Sequence, residues 1–408
     1  MSEKISLRFS IWIAALIFVL SFGVYCAYLV FTIGLGVTAM NNMVPWGIWI
    51  TDYMWHIAAG TGGFMVAGAV YIFGYKKFSP IVRLAVVISL LDYVIGVISL
   101  IPDLGRPLNI YYVYTSPNFH SMFFEVILSV TIYTLILVVE NAETAFASTF
   151  MANIFKKVGL GRIDAPKISH KIHSWAPILA VLGLSISLLH QSSFGGVFAV
   201  MQSRPYTFLQ DLPIRFIISA MAAGPAIIIW MSIVTSKVYG RVIVKMTILE
   251  DLGRISMFFL IGWAFLSIWN MYQLMLQYKP LRTDFLVQLQ GTLVYLWPIE
   301  IMFGAVVPIA LYVNPKTRRN NIGLIVASTF TLFGAFIFRY DTVINSAITT
   351  YLSPFSITAE QLRIPLQPSI WTYFPAWPEW GLLAGIFALW ALCYTLAIRW
   401  FPILPKEE

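Results

Sequence analysis

Long apolar stretches with almost no charged residues recur along the whole chain. A stretch of about 20 residues, at 1.5 Å per residue, spans the hydrocarbon core of a bilayer as a helix. We interpret ten stretches in this way: 9–34, 47–74, 82–102, 118–140, 173–193, 213–236, 255–277, 288–313, 321–345 and 379–401. The pattern therefore predicts an all-α polytopic membrane protein with ten transmembrane helices.

The composition favours the same class. Of the 408 residues, 59% are hydrophobic and 11% are charged, whereas roughly a quarter of the residues in soluble proteins are charged. We expect a single integral membrane domain over residues 1–408. The first span is too long for a cleaved secretory signal. Cys26 and Cys393 lie within spans without a pairing pattern, so we expect no iron–sulfur or zinc site.

The basic residues are divided unevenly between the two sides of the predicted bundle. Ten spans place both termini on one side, and most of the 26 Lys and Arg residues lie there. The remaining ones are Arg106, Arg204, Arg215, Lys279, Arg282 and Arg363 in the opposite loops, and Arg339 inside a span. By the positive-inside rule, both termini face the cytoplasm, and the protein lies in the cell membrane. Because these charges are scattered over short loops, we expect membrane lipid and no nucleic acid as a partner.

Titratable side chains occur inside the spans, where they usually face the bundle interior and mark proton, ion or substrate paths. Asp52 and His56 are four residues apart and share one helix face. We expect Glu125 about two turns inside the fourth span, with His120 above it at the mouth. The candidates for proton transfer are Asp52, His56, Asp92, Glu125, Glu300, Arg339 and Asp341. Most of them belong to the outer half of the membrane, which predicts a polar pocket that opens outward.

The stretch LSISLLHQSSFGG (184–196) concentrates polar side chains at the end of an apolar segment. We expect His190 and Gln191 to close the fifth span at its outer end. Other residues have simpler structural interpretations. His56 can bridge two helices, Glu300 can satisfy backbone groups freed by Pro298, and Arg339 and Asp341 can serve as ion-pair partners. The small-residue strip 58–68 permits close helix contact.

Two other classes of membrane protein stay open at this point. A secondary transporter would fit ten helices with central acids and a possible two-bundle repeat, and broken helices with midplane sites would favour it. A cytochrome b subunit needs paired histidines at matching depth. Only His120 and His190 share a level, so at most one haem could be held.

Several short motifs in order along the chain resemble the NrfD/PsrC family of quinone-interacting membrane subunits. They are VPWGIW (44–49), the glycine strip 60–63, FSPIVR (78–83), LDYVIG (91–96), DLGR (103–106), SMFFE (121–125), HQSSFGG (190–196), Arg339, FPAWPEW (374–380) and RWFPILP (399–405). The resemblance covers nearly the whole chain. It is strongest to the ten-helix branch found in membrane-bound hydrogenases and sulfate-respiration complexes.

The resemblance implies two four-helix bundles, at 47–193 and 213–345, with the first and tenth spans at the periphery. It implies a bound quinone (menaquinone or a related one), no haem and no metal. Its partners would be an extracytoplasmic ferredoxin-like iron–sulfur subunit and further subunits of a respiratory complex. The catalytic positions would be His190, Glu125 and Tyr93, and the quinone-binding positions His190, Gln191, Tyr93, Asp103 and His120, with Arg83, Asp103 and Arg339 as supports.

The sixth span departs from the pattern of the hydrogenase branch. Hydrogenase-branch relatives often have a buried glutamate there, whereas residues 216–234 contain no acid. A proton path through the second bundle would then depend on Glu300. Under this hypothesis His190 contacts one quinone oxygen, since a histidine titrates near neutral pH, and Tyr93 and Glu125 serve the other oxygen.

Overall fold

A computed structural model describes residues 7–42, 44–158, 164–201, 204, 206–276, 293–348 and 373–405. Within these ranges the chain forms helices and connecting segments and no strand. The all-α prediction is therefore confirmed.

Fourteen helices, numbered here in chain order, form the framework of the described residues. They are α1 Leu7–Ile33, α2 Ile48–Ala59, α3 Gly62–Tyr71, α4 Val82–Leu100, α5 Met122–Phe146, α6 Thr149–Lys157, α7 Ala165–Ser174, α8 Ala176–Ala199, α9 Leu212–Tyr239, α10 Met246–Leu276, α11 Leu293–Ile301, α12 Val307–Val313, α13 Asn321–Tyr340 and α14 Trp377–Trp400. Short 3₁₀ or π segments extend several of them, including Ile101–Leu104 after α4, Met302–Val306 between α11 and α12, and Asp341–Asn345 after α13.

Nine helical segments of the described ranges are long and apolar enough to cross a membrane, so the chain is a multi-pass membrane protein. The predicted span 47–74 differs from the other nine, because it divides at Gly60–Thr61 into α2 and α3. These two helices have 12 and 10 residues, or about 18 and 15 Å of length. Neither crosses a bilayer alone, and a total of ten transmembrane helices stays a prediction.

The fifth span extends beyond its predicted end, because α8 continues to Ala199. The expectation that His190 and Gln191 close the span is therefore wrong. The polar residues that follow do not break the helix, since the hydroxyls of Ser192 and Ser193 both donate to the Leu189 carbonyl within α8.

The glycine pair Gly195-Gly196 marks a close approach rather than a helix end. A Cβ atom on Gly195 would lie 2.4 Å from Pro213 Cα, and one on Gly196 would lie 2.4 Å from the Met122 methyl group. Glycine therefore lets the end of α8 pack against the starts of both α9 and α5.

The long helices pack in two groups. One contains α2, α3, α4, α5 and α8, and the other contains α9, α10, α12 and α13. The groups meet where α2, α3 and α8 contact α9, and where α2 contacts α13. Helix α1 packs on α14, which also contacts α2 and α4. The division into four-helix bundles at 47–193 and 213–345 stays a prediction.

The break between α2 and α3 lies against α9. The Thr61 hydroxyl lies 2.7 Å from the Ala220 carbonyl oxygen of α9. A Cβ atom on Gly62 would lie 2.7 Å from the Gly224 carbonyl oxygen. The close helix contact predicted for the small-residue strip 58–68 is therefore confirmed, and it joins the two groups of helices.

A polar knot joins the N termini of α2 and α14. The buried Glu379 accepts hydrogen bonds from the backbone N–H groups of Ala39 (2.7 Å) and Ala376 (2.8 Å) and from the Tyr373 hydroxyl. Tyr373 in turn accepts from the Ile48 N–H at 2.9 Å. Burial and the Glu379 carboxylate raise the pKa of Tyr373, so this hydroxyl stays protonated and donates to Glu379.

Candidate functional site

A group of aromatic rings encloses His190 in the middle of the first helix group. His190 is fully buried, and its ring centroid lies 5.1 Å from Phe194, 6.0 Å from Tyr93 and 6.4 Å from Tyr53. The Tyr133 ring lies 4.4 Å from Tyr93. We call these five residues the His190 cluster. They come from α2, α4, α5 and α8, so the packing of four helices positions them.

The His190 cluster holds polar atoms without hydrogen-bond partners among the described residues. They are both ring nitrogens of His190 and the hydroxyls of Tyr53 and Tyr133. The Val126 carbonyl approaches the imidazole, but its geometry falls short of a hydrogen bond. In contrast, the Tyr93 hydroxyl pairs with Ser187 Oγ at 3.1 Å. Buried polar groups are normally paired, so this cluster has hydrogen-bonding capacity for a ligand or water.

Gln191, the neighbour of His190, is engaged in the helix break. Its amide donates to the Ile57 carbonyl of α2 at 3.0 Å. In a continuous helix this carbonyl would accept from Thr61 N–H, which instead bonds to the Ala58 carbonyl. Gln191 thus satisfies a carbonyl that the break leaves free, and its quinone-binding role stays a prediction.

A second row of polar side chains lies between α2 and α4. His56 Nδ1 lies 3.0 Å from Asp92 Oδ1, and His56 Nε2 lies 3.8 Å from Asp52 Oδ1. The Ser99 hydroxyl lies 2.8 Å from Asp52 Oδ2. All four residues are fully buried, and we call them the α2–α4 seam. Asp52 and His56 share a face as predicted, and His56 bridges two helices through Asp92.

Aromatic rings shield the seam. The His56 ring lies 5.0 Å from Trp55, 5.5 Å from Phe387 and 6.4 Å from Trp390. Trp55 also donates to the Leu332 carbonyl at 2.8 Å, which links this wall to α13. Aromatic rings of α2 and α14 therefore cover His56, and Trp55 ties this wall to α13.

Arg339 and Asp341 lie in the second helix group and have different partners. The Arg339 guanidinium donates to Ser219 Oγ at 2.8 Å and to the Phe216 carbonyl at 3.3 Å. Asp341 accepts from Tyr206 and Asn345. The two residues form no ion pair with each other in the described part of the chain, in line with their spacing of two residues.

Glu300 lies near both of these groups. Its side chain is buried, and neither carboxylate oxygen has a hydrogen-bond partner among the described residues. The interpretation that Glu300 satisfies backbone groups freed by Pro298 is therefore wrong. It lies within electrostatic range of Asp341, Arg215 and Arg339, and a π-helical turn follows at Met302–Val306.

Two predicted residues lie near the surface. His120 is exposed on the connection before α5. Glu125 is partly exposed in the first turn of α5, rather than two turns inside the helix, because α5 begins only at Met122. It directly precedes Val126, whose carbonyl approaches His190.

Asp103 and Arg83, which were predicted to support the quinone site, lie at opposite ends of α4. Asp103 accepts from the Gly47 N–H at 3.4 Å and so caps the N terminus of α2. Arg83 pairs with Glu143 at 3.0 Å, ten residues or about 15 Å along the helix from Tyr93. Both therefore hold helix ends outside the His190 cluster.

Sequence reasoning missed several residues of these sites. Tyr53 and Tyr133 carry unpaired hydroxyls, but a tyrosine in an apolar segment gives no signal that separates it from ordinary packing. Ser99 had a signal, because it follows Asp92 by seven residues and so shares its helix face. Glu379 had a weaker one, as an acid within a run of aromatics and prolines.

A comparison with protein families decides the classification. The family model described as polysulphide reductase, NrfD, matches residues 36–351. The chain belongs to this family. The NrfD resemblance recognised in the sequence motifs is therefore confirmed.

Curated relatives of this NrfD-family chain are membrane subunits of redox complexes. The menaquinone reductase integral membrane subunit of Nitratidesulfovibrio vulgaris is 28% identical, over 99% of this chain and 94% of the relative. A selenate reductase subunit of Mesobacillus selenatarsenatis is 24% identical over 91% and 89%. The probable Ni/Fe-hydrogenase 2 b-type cytochrome subunit of Escherichia coli is 25% identical over 90% and 86%.

Proposed function

We propose that this chain is the quinone-binding membrane subunit of a respiratory oxidoreductase complex, with menaquinone or a related quinone as its substrate. The observation that carries the proposal is His190, a buried imidazole with two unpaired nitrogens beside three aromatic rings. The N. vulgaris relative, which is named a menaquinone reductase subunit, supports the same substrate class.

The proposed chemistry needs groups that both hold and exchange protons. Reduction of a quinone takes up two electrons and two protons, and oxidation of the quinol releases them. In the proposal, His190 forms a hydrogen bond with one carbonyl oxygen of the quinone. Tyr93 serves the other oxygen, and Glu125 exchanges protons near the surface. Aromatic rings around His190 suit a flat, apolar head group.

Electrons would pass between the quinone and an iron–sulfur subunit outside the membrane, because the proposal gives this chain no redox centre. The E. coli relative is named a b-type cytochrome, so the absence of haem stays a prediction. His120 is exposed whereas His190 is fully buried, which does not favour these two as a haem-ligating pair. A visible absorption spectrum of the purified complex tests this directly.

The partner would dock at the end of the molecule that carries Asp103 and the N terminus of α14. By the positive-inside rule this end faces outward and both termini face the cytoplasm. The connection between α4 and α5 exposes large apolar residues there, with Leu108 at 88% and Phe119 at 78% exposure. Of the predicted docking loops 103–117, 194–212 and 346–378, most of the last lies outside the described residues.

The break at Gly60–Thr61 is a feature that transporters also use, where freed carbonyls bind ions. Here the Ile57 carbonyl accepts from Gln191, and the Ala58 carbonyl accepts from Thr61 N–H. These two carbonyls are thus occupied by protein groups and are not available to an ion, which supports the quinone proposal over a transporter.

Replacing His190 tests the proposal. In His190→Ala, quinone-dependent turnover of the assembled complex should fall at least about 100-fold, the scale of a lost acid–base group. Affinity for a quinone analogue should fall as well, while the amount of complex is kept. His170→Ala, an exposed histidine of α7, is the matched control and should leave both unchanged. Wild-type turnover in His190→Ala would reject the assignment.

A further inference from the structure

The α2–α4 seam continues beyond Asp92 and His56 toward one end of the molecule. Asp92, Ser99 and Asp103 are separated by seven and four residues on α4 and its 3₁₀ extension, so they follow one side of it. The Ser99 hydroxyl contacts both Asp52 Oδ2 (2.8 Å) and the Trp49 carbonyl (3.1 Å). The polar contacts therefore lead from the middle of α4 to the N-terminal turn of α2.

The inner end of the seam adjoins the His190 cluster. Asp92 belongs to the seam, and the next residue, Tyr93, belongs to the cluster. Both side chains border Gly60, where an added Cβ atom would lie 2.9 Å from the Tyr93 ring and 3.1 Å from Asp92 Cβ. The two polar regions are therefore adjacent at Gly60.

The outer end of the seam reaches the polar knot. Asp103 accepts from the Gly47 N–H one turn beyond Ser99. It also lies within electrostatic range of Glu379, and the next residue, Leu104, is exposed. The row of polar groups therefore runs to the surface at the end where α2 begins.

The seam has open positions for protons. Asp52 Oδ1, His56 Nε2 and Asp92 Oδ2 lack hydrogen-bond partners among the described residues. Two carboxylates flank one imidazole, and full ionisation of all three groups in an apolar bundle would be expensive. The two carboxylates and the imidazole can share a proton, which reduces the number of charges buried in the bundle. The shared proton can then move from one group to the next.

We propose that the α2–α4 seam conducts protons between the His190 cluster and the end of the molecule that carries Asp103 and Glu379. The inference rests on the proposed function. When a quinol at the cluster is oxidised, its two electrons go to the iron–sulfur partner and its two protons leave along the seam. Reduction of the quinone draws two protons in by the same route.

The opposite end of the first helix group offers the competing route. Tyr133 lies within electrostatic range of Glu140, and Glu143 pairs there with Arg83 and with His173, which is 55% exposed. These groups would carry protons to the other side of the membrane. The side on which protons are exchanged therefore discriminates between these two routes. A route through Glu125 would end on the same side as the seam, so the seam variants are needed to distinguish those two.

The sharpest variant is Ser99→Ala in the intact complex in membranes, because it removes one hydroxyl and little volume. We expect turnover to fall about tenfold and the solvent isotope effect in D₂O to rise, with quinone-analogue affinity unchanged. The matched control is Ser89→Ala. Ser89 is a buried serine on the same helix that accepts from Gly63 N–H at 2.8 Å, outside the seam. It should stay within about twofold of the wild type.

Asp52→Asn keeps the shape of the seam and serves as a second variant in case Ser99→Ala misfolds. It should show the same fall in turnover. Unchanged turnover and isotope effect in either correctly assembled variant would overturn the inference. In liposomes with a pH-indicator dye, protons should be exchanged on the side of Asp103 and Glu379. Exchange on the side of Glu143 and His173 would overturn it too. Full activity of His190→Ala would instead reject the proposed function itself.

Discussion

Arg339 shows how the fold accommodates a full charge in an apolar environment. Its guanidinium donates to Ser219 and to the Phe216 carbonyl. It also lies 4.2 Å from the Phe216 ring centroid and 4.8 Å from that of Phe338, which adds cation–π attraction. The Glu300 carboxyl group lies within electrostatic range of it. Several modest interactions together replace the water that the charge has lost.

Removing that charge should destabilise the protein through Glu300. Arg339→Met removes one of the two positive charges near Glu300, the other being Arg215, together with the hydrogen bonds to Ser219 and the Phe216 carbonyl. We expect a loss of about 1–3 kcal/mol. The free energy of unfolding in mixed micelles measures the loss. The double variant Arg339→Met/Glu300→Gln should recover part of it. Equal stability of the single and double variants would contradict this account.

At the residue scale, buried ionisable residues can be recognised in the sequence, whereas the relevant tyrosine hydroxyls cannot. Asp52, His56 and Asp92 stand out because ionisable groups are rare in apolar segments, and the structure brings them together. The unpaired hydroxyls of Tyr53 and Tyr133 could not be predicted. Their importance depends on which ring they face across the bundle, and a local sequence pattern does not show which residues meet there.

The two helix groups approach each other closely where the α2–α3 break meets α9. The contact depends on residues without bulky side chains. A Cβ atom on Gly224 would lie 2.5 Å from Thr61 Oγ1 and 2.6 Å from the Gly62 nitrogen. Because the second of these atoms belongs to the backbone, it cannot move aside without shifting a helix.

Gly224→Ala should therefore separate the two groups. We expect a loss of about 1–3 kcal/mol in unfolding free energy, the usual cost of overpacking, and a lower melting temperature. Gly262→Ala on α10 is the matched control, since its nearest neighbour would be Ile218 Cγ2 at an ordinary 3.7 Å. Equal stability of the two variants would show that the close contact is not needed.

At the element scale, hydropathy located the long helices but could not locate the break. The residues Ala-Ala-Gly-Thr-Gly-Gly (58–63) suit a tightly packed helix and an interrupted one equally well. The interruption is supported by Gln191 from α8 and by the Ala220 carbonyl of α9. Both lie far away in the sequence, so the decision is made by tertiary contacts.

Across the whole molecule, the proposed partner surface lies on the connection between α4 and α5. Leu108, in a short 3₁₀ turn, and Phe119 are exposed on this connection, so replacing them should leave the bundle intact. In Leu108→Ser/Phe119→Ser, co-purification of the iron–sulfur subunit should drop severalfold. Val242→Ser, equally exposed on the α9–α10 connection, should retain it. Full recovery of the complex by the double variant would place the docking surface elsewhere.

The polar knot and the pairing of α1 with α14 also constrain how the chain is made. Gly23 and Gly385 bring the first and last helices together, with a Cβ on either one falling within 2.6 Å of the other's Cα. Tyr373 then caps the N terminus of α2, and Glu379 accepts from the Ala39 N–H. During synthesis, α1 and the N terminus of α2 are made before their contacts at residues 373–385 have been translated. A nascent chain halted before residue 373 would keep these N–H groups uncapped, as a ready target for membrane-bound quality-control proteases.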